Sequence, residues 1–170
     1  DALQLIPVDE EGKICLNQLE SKITQLKSQD RKCFGIVATA GTTVRGAVDP
    51  IFELANISKE QGLWLHVDGA IGGIFALSTL TSNIVKGISF ADSVTLNPQK
   101  ILGITKTSSL VLVRNRAVLS EAFSTGLPYL DQSSGEPHGG ELGIQGTRSA
   151  EALKLWMGLR QLGEEGIECL

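Results

Sequence analysis

Short apolar runs alternate along the chain with stretches whose apolar residues recur every three to four positions. Phe34-Gly35-Ile36-Val37-Ala38 has the length and composition of a buried strand, Ile51 to Gln61 has helical spacing, and Leu63-Trp64-Leu65-His66-Val67 returns to strand character before a glycine-rich turn. That order predicts a βαβ unit. Ser93-Val94-Thr95-Leu96 predicts a third strand and Ser108 to Val113 a fourth, while Arg116 to Ser124 and Ala150 to Leu162 have helical spacing. Ahead of these, Leu5 to Lys27 reads as an edge segment followed by an amphipathic helix. The expected class is α/β, with a mainly parallel sheet flanked by helices.

Local signals refine the elements. Asp49-Pro50 predicts a helix start with Asp49 as N-cap and Pro50 at the first helical position, and Gly62 marks the end of that helix. In the last helix Leu153, Trp156, Leu159 and Leu162 recur at three-residue steps, which predicts a stripe facing the core. Between Ser124 and Thr147 the chain turns to Gly, Ser, Pro and acidic residues without a regular apolar period. A mobile loop is expected over about 124–147, and loops of this length inside a domain are more often lids or disordered connections than plain turns.

Composition narrows the function classes. The 170 residues are 42% hydrophobic and 20% charged with a net charge of −4, and no Lys/Arg cluster forms a stripe, so neither nucleic acid nor an anionic membrane surface is expected as a partner. The apolar runs fall far short of the roughly 20 residues that a membrane-spanning helix needs. Cys15, Cys33 and Cys169 fit neither a disulfide framework nor a metal knuckle, and are read as reduced thiols of a cytoplasmic protein. His66 and His138, the only histidines, belong to no paired ligand pattern, so no metal site is expected. The start, Asp1-Ala2-Leu3-Gln4, has no initiator Met and no signal-peptide pattern and reads as an internal cut.

In an open α/β sheet, ligands collect outside the carboxyl ends of the strands. Three predicted ends carry unusual polar sequence: Thr39-Ala40-Gly41-Thr42-Thr43, Asp68-Gly69-Ala70 and Asn97-Pro98-Gln99-Lys100. A carboxylate and a lysine converging there make the minimal pair for pyridoxal phosphate (PLP) chemistry, the lysine forming a Schiff base and the carboxylate holding a proton on the pyridine nitrogen. Taken singly, Asp68 reads more simply as a strand terminus and Lys100 as a surface residue opening a loop.

The wider pattern is more specific. ATAGTT-x-x-GA-x-DP at Ala38 to Pro50, HVDGA-x-GG at His66 to Gly73, NPQK at Asn97 to Lys100 and the segment Gln145 to Trp156 together resemble the group II PLP-dependent decarboxylases, which include glutamate and aromatic-amino-acid decarboxylases. The resemblance implies the large domain of a PLP-dependent transferase-like (fold type I) enzyme. Residues 1–170 would form the central and C-terminal part of that domain, incomplete, without the upstream region and the small C-terminal domain. It implies an L-amino acid as substrate, an amine as product, and a homodimer. By position, Lys100 would carry the cofactor, Asp68 would face the pyridinium, Ala70 would pack on a ring face, and Thr43 and Asn97 would help to bind it. Tyr129, the only tyrosine, falls where the family places the loop residue that returns a proton to Cα. His66, two residues before Asp68 and on the same strand face, is either a support for that carboxylate or a structural imidazole. Arg148 is given an organising role near the loop or dimer contact, or else a place on the surface.

One residue departs from the family. Gln99 precedes the lysine where most members have His, and an amide exchanges hydrogen bonds but not protons near neutral pH. Two alternatives therefore stand beside decarboxylation: another PLP reaction on an amino acid, such as transamination or aldehyde formation, and an inactive homologue or fragment. The 170 residues alone are expected to be inactive, since the family's active site draws on upstream and second-subunit residues.

Overall fold

The computed structural model describes residues 2–106, 109–125 and 139–170. Its centre is a four-stranded sheet in the order β1 (Gly35–Thr39), β2 (Trp64–Asp68), β3 (Ser93–Leu96) and β4 (Leu110–Val113). The first three strands run parallel. Strand β4 is antiparallel to β3, with Leu110 opposite Leu96 and Val113 opposite Ser93, so the sheet is mixed at one edge. Helix α2 (Ile51–Gln61) makes the β1–β2 crossover that the alternation predicted, whereas three short 3₁₀ turns between Gly72 and Phe90 connect β2 to β3. Helices α3 (Ala117–Phe123) and α4 (Glu151–Glu168) follow.

The sheet is covered on one face. Ile36 and Ala38 of β1 and Leu65 and Val67 of β2 pack against Leu19 and Ile23 of α1 (Leu16–Ser28) and Ile51, Leu54 and Ala55 of α2. The i, i+4 spacing on α1 and the alternation on β1 and β2 dictate this core. The intervening strand residues, Val37, Trp64, His66 and Asp68 among them, point to the opposite face.

Two helix boundaries test the local signals. At the end of α2, Gly62 adopts φ 65°, its N–H donates to Lys59 O, and the N–H of Leu63 donates to Ser58 O at 2.8 Å. This is a Schellman closure, which needs the left-handed conformation that glycine takes without strain. Gly62→Ala is expected to cost about 1 kcal/mol, read as a lower urea midpoint with unchanged slope.

The start of α2 departs from expectation. Pro50 occupies the N-cap position with ψ 72°, and no side chain caps the helix. The Asp49 carboxylate instead serves two distant backbone donors: Oδ1 accepts from Ile14 N at 2.8 Å and Oδ2 from Thr39 N at 2.7 Å. Both oxygens are thereby satisfied by groups that a local capping pattern does not reveal.

Helix α4 differs on its packed face. Leu153 and Trp156, two members of the predicted stripe, are exposed, while Leu155 and Leu159 line a small cavity and Gly158 lies so close to Ile104 that a Cβ there would come within 2.7 Å of its Cδ1. The helix docks on the loop after β3 rather than on the main core, which rotates its buried face. Its regular part ends where predicted: Gly163 has φ 62° and ψ −172°, breaking the helix just after Leu162.

Candidate active site

The register of the parallel strands sets the site. Thr39, Asp68 and Thr95 lie side by side at the carboxyl ends of β1, β2 and β3, so the three polar segments leave the sheet at one edge. After β1 the chain makes a compact loop closed by an Ala40–Val48 bridge. Gly41 N and Thr42 N both donate to Ala47 O, and Ala47 N donates to Thr42 Oγ1 at 3.0 Å. Thr42 is thus committed to the loop's own structure. Thr43, beside it, is exposed and makes no side-chain bond among the described residues.

The second segment is locked to the first. Gly72 N donates to Ala40 O at 2.9 Å, and a Cβ on Gly72 would lie only 2.8 Å from that oxygen. Only glycine permits so close an approach. Asp68 is exposed at the mouth of this segment, and its Oδ1 accepts from Ala70 N at 3.1 Å. That short turn orients the carboxylate. Its other oxygen is engaged by no described residue.

In the third segment a turn closes through Lys100 N donating to Asn97 O at 3.0 Å. Lys100 is exposed, and its side chain has no hydrogen bond or ion pair among the described residues. Asn97 Oδ1 and Gln99 Oε1 are shielded from solvent and accept from no protein donor among the described residues. Buried amide oxygens are normally paired, so two such acceptors flanking Pro98 are open to a ligand's donors.

Other predicted residues lie apart or have different partners. His66 does not bond Asp68: its Nδ1 lies 2.8 Å from Ser93 Oγ and its Nε2 3.3 Å from Thr95 Oγ1. Arg148 is exposed and bonds locally, Nε donating to Gln145 O at 3.2 Å. Tyr129 lies outside the described residues. The described flanks of its segment are tied together, with Glu141 Oε1 accepting from Thr125 N and Thr125 Oγ1 at 3.0 and 2.8 Å.

Two cavities adjoin these elements. An apolar one of about 150 Å³ touches Ala70 and Asn97 and is lined further by Leu96, Leu102, Leu155 and Leu159. The larger, about 470 Å³, lies between the amino-terminal segment, α1 and the open face of β1; it reaches Thr39 and His66 but not Asp68, Asn97 or Lys100. Size therefore does not mark the chemistry here.

An amine, a carboxylate and two unpartnered amide oxygens at one sheet edge fit an electrophilic carbonyl and a protonated ring nitrogen, the two reactive features of pyridoxal phosphate. The comparisons with known proteins point to the same cofactor. Residues 2–169 match the pyridoxal-dependent decarboxylase conserved domain. The chain belongs to that family. It is 37% identical over 162 residues to an aromatic-L-amino-acid decarboxylase of Bacillus atrophaeus, covering 93% of this chain and 34% of that one. It is 36% identical over 168 residues to the acidic amino acid decarboxylase GADL1 of Mus musculus, covering 96% and 30%. The crystal structure of mouse CSAD superposes with a TM-score of 0.87 at 32% identity, over 97% of this chain and 34% of that one. The chain thus spans about a third of the length of these relatives.

Within this pyridoxal-dependent decarboxylase domain, the sequence pattern assigned no site role to Trp64, Ser93 and Thr95 and marked Asp49 only as a helix cap. Trp64, His66 and Asp68 alternate on one strand, and Ser93 and Thr95 on another, so a period-two reading places all five on one face. Their bonds across strands depend on register, which no local pattern states.

Proposed function

We propose that this chain forms the lysine-bearing part of a pyridoxal phosphate site in an enzyme that decarboxylates an L-amino acid to the amine. The observation that carries the reading is the shared edge, where the level ends of β2 and β3 deliver Asp68 and the Asn97–Lys100 turn to the same side of the sheet. Bound there, the cofactor would supply an electron sink for the electron pair left on Cα when carbon dioxide departs.

The chain's own residues have separable tasks. Lys100 presents its amine as the nucleophile that anchors the cofactor. Asp68, oriented by Ala70 N, holds a proton at the ring nitrogen, because an adjacent negative charge favours the cation. Ala70 leaves space for the ring, Asn97 offers its shielded Oδ1 to the cofactor, and Thr43 its exposed hydroxyl. Gln99 takes the place of the more usual His as a hydrogen-bonding group only. Tyr129 donates the proton that completes the amine at Cα. The three free cysteines support a reducing, cytoplasmic setting. A homodimer is the proposed assembly, and apolar residues left exposed on α4, Leu153, Trp156 and Met157, support further contacts there.

The reading is tested with the full-length gene product, supplied with pyridoxal phosphate and a panel of acidic, aromatic and diamino L-amino acids. Equal molar release of carbon dioxide and amine from one of them is the expected result; no release from any would refute it. Tyr129→Phe is expected to divert product in air from amine toward aldehyde, detected by mass spectrometry. Undiminished amine formation would remove Tyr129 from its assigned role.

A further inference from the structure

On the open face of the sheet, four side chains join in a line. Trp64 Nε1 donates to Ser93 Oγ at 2.8 Å, Ser93 Oγ meets His66 Nδ1 at 2.8 Å, and His66 Nε2 meets Thr95 Oγ1 at 3.3 Å. Thr95 is the register partner of Asp68, and neighbouring strands lie about 4.8 Å apart, so the line ends beside the site's carboxylate.

The direction of the line follows from counting protons. Indole N–H is a donor only, so Ser93 Oγ accepts from Trp64. Ser93 is only 7% exposed, and its hydroxyl proton needs an acceptor; His66 Nδ1 is the acceptor that the described residues offer. An Nδ1 that accepts leaves the neutral imidazole's proton on Nε2, which then donates to Thr95 Oγ1. Thr95 receives that bond and keeps its own hydroxyl proton available on the face that carries Asp68. Were the ring in the other tautomer, Nδ1 and Trp64 would both donate to Ser93 and the buried hydroxyl would lack an acceptor.

We infer that Trp64, Ser93, His66 and Thr95 form a one-way hydrogen-bond chain that selects the Nε2–H tautomer of His66 and, through Thr95, positions the Asp68 carboxylate. The last step rests on the assignment of Asp68 to the cofactor's ring nitrogen; the tautomer does not. His66 and Thr95 are positioning residues, because each is argued to act through a neighbouring side chain. The arrangement sets a hydroxyl donor on the strand beside Asp68, where it would limit the carboxylate's rotation.

The test has two readouts on the full-length protein. With cofactor removed and histidine labelled with ¹⁵N, at a pH where the imidazole is neutral, the resonances lost in His66→Gln identify His66 and are expected to show a protonated Nε2 and a bare Nδ1. Ser93→Ala is expected to bring in the Nδ1–H form. In the second, Thr95→Val and His66→Gln are expected to weaken equilibrium binding of pyridoxal phosphate about tenfold, and Thr95→Ser to restore it, the scale of one hydrogen bond to a charged group. An Nδ1–H tautomer in the unaltered protein overturns the chain. Loss of binding in Asp68→Ala with unchanged affinity in Thr95→Val overturns the positioning role, as does a Thr95→Ser variant no better than Thr95→Val. Affinity unchanged even in Asp68→Ala overturns the assignment of Asp68 and its positioning together, and the tautomer result stands or falls separately.

Discussion

Lys100→Ala is expected to abolish borohydride-stable attachment of pyridoxal phosphate and to lower turnover by about 10³-fold or more, the scale of losing a catalytic nucleophile. Position carries the argument as much as residue type. Lys100 sits at the end of a closed turn after β3, next to two amide oxygens that have no partner among the described residues, and its amine is engaged by no described group. Lysines elsewhere are differently placed: Lys86 lies over the Phe52 ring at 5.0 Å, and Lys154 is bonded to Lys106 O and paired with Glu151. Reduction with borohydride followed by peptide mapping should place the label on the Asn97–Lys100 peptide alone. Label retained in Lys100→Ala, or found on Lys86 or Lys106 in the unaltered protein, would move the anchor elsewhere.

Asp68→Ala should behave differently from Lys100→Ala, and the contrast separates the two roles. Removing the carboxylate weakens cofactor binding but leaves the lysine able to bond covalently, so at saturating cofactor trapping should persist while turnover falls. The fall arises because nothing then holds the proton on the ring nitrogen, and a neutral ring is a poorer electron sink.

How far these roles could be read from the sequence depends on the range of the interaction that fixes each one. Strands β1, β2 and β3 and helix α2 are marked by local apolar blocks, and Gly62 marks a left-handed cap because a single residue's backbone demands it. The shared edge of Asp68 and Lys100 was legible too, since parallel strands joined by crossovers end on the same side. Long-range pairing is where the reading stopped. Asp49 looked like a helix cap because the local pattern Asp-Pro commonly is one, yet Ile14 N and Thr39 N, 35 and 10 residues away, compete for the same oxygens and win both. His66 looked like a neighbour of Asp68 by strand alternation, but its partners Ser93 and Thr95 are 27 and 29 residues away and follow from the β2–β3 register. The first half of the α4 stripe, Leu153 and Trp156, misled for a related reason, whereas Leu159 and Leu162 are half-buried. Three-residue spacing identifies a helical face without saying which surface it meets, and Gly158 against Ile104 sets the rotation.

Asp49→Ala is expected to destabilise the fold by about 3 kcal/mol, since it deletes two bonds from backbone N–H groups to a carboxylate, each of the order of 1.5 kcal/mol or more. The same side chain joins the amino-terminal segment at Ile14 to the end of β1 at Thr39, so its loss frees both partners at once. For a domain of this size the change corresponds to a drop in Tm of about 6–12 °C. Asp49→Asn discriminates the cause, because an amide has one carbonyl oxygen and can accept well from only one of the two donors. It should fall between the parent and the alanine variant. The effect should also reach the site, because Thr39 is level with Asp68 in the sheet and opens the loop that receives Gly72 N at Ala40 O. A looser β1 end is therefore expected to weaken cofactor retention in Asp49→Asn at temperatures well below its melting transition, measured by the rate at which pyridoxal phosphate is lost on dilution. An Asn variant as stable and as retentive as the parent would show that the double clamp contributes neither to the fold nor to the site.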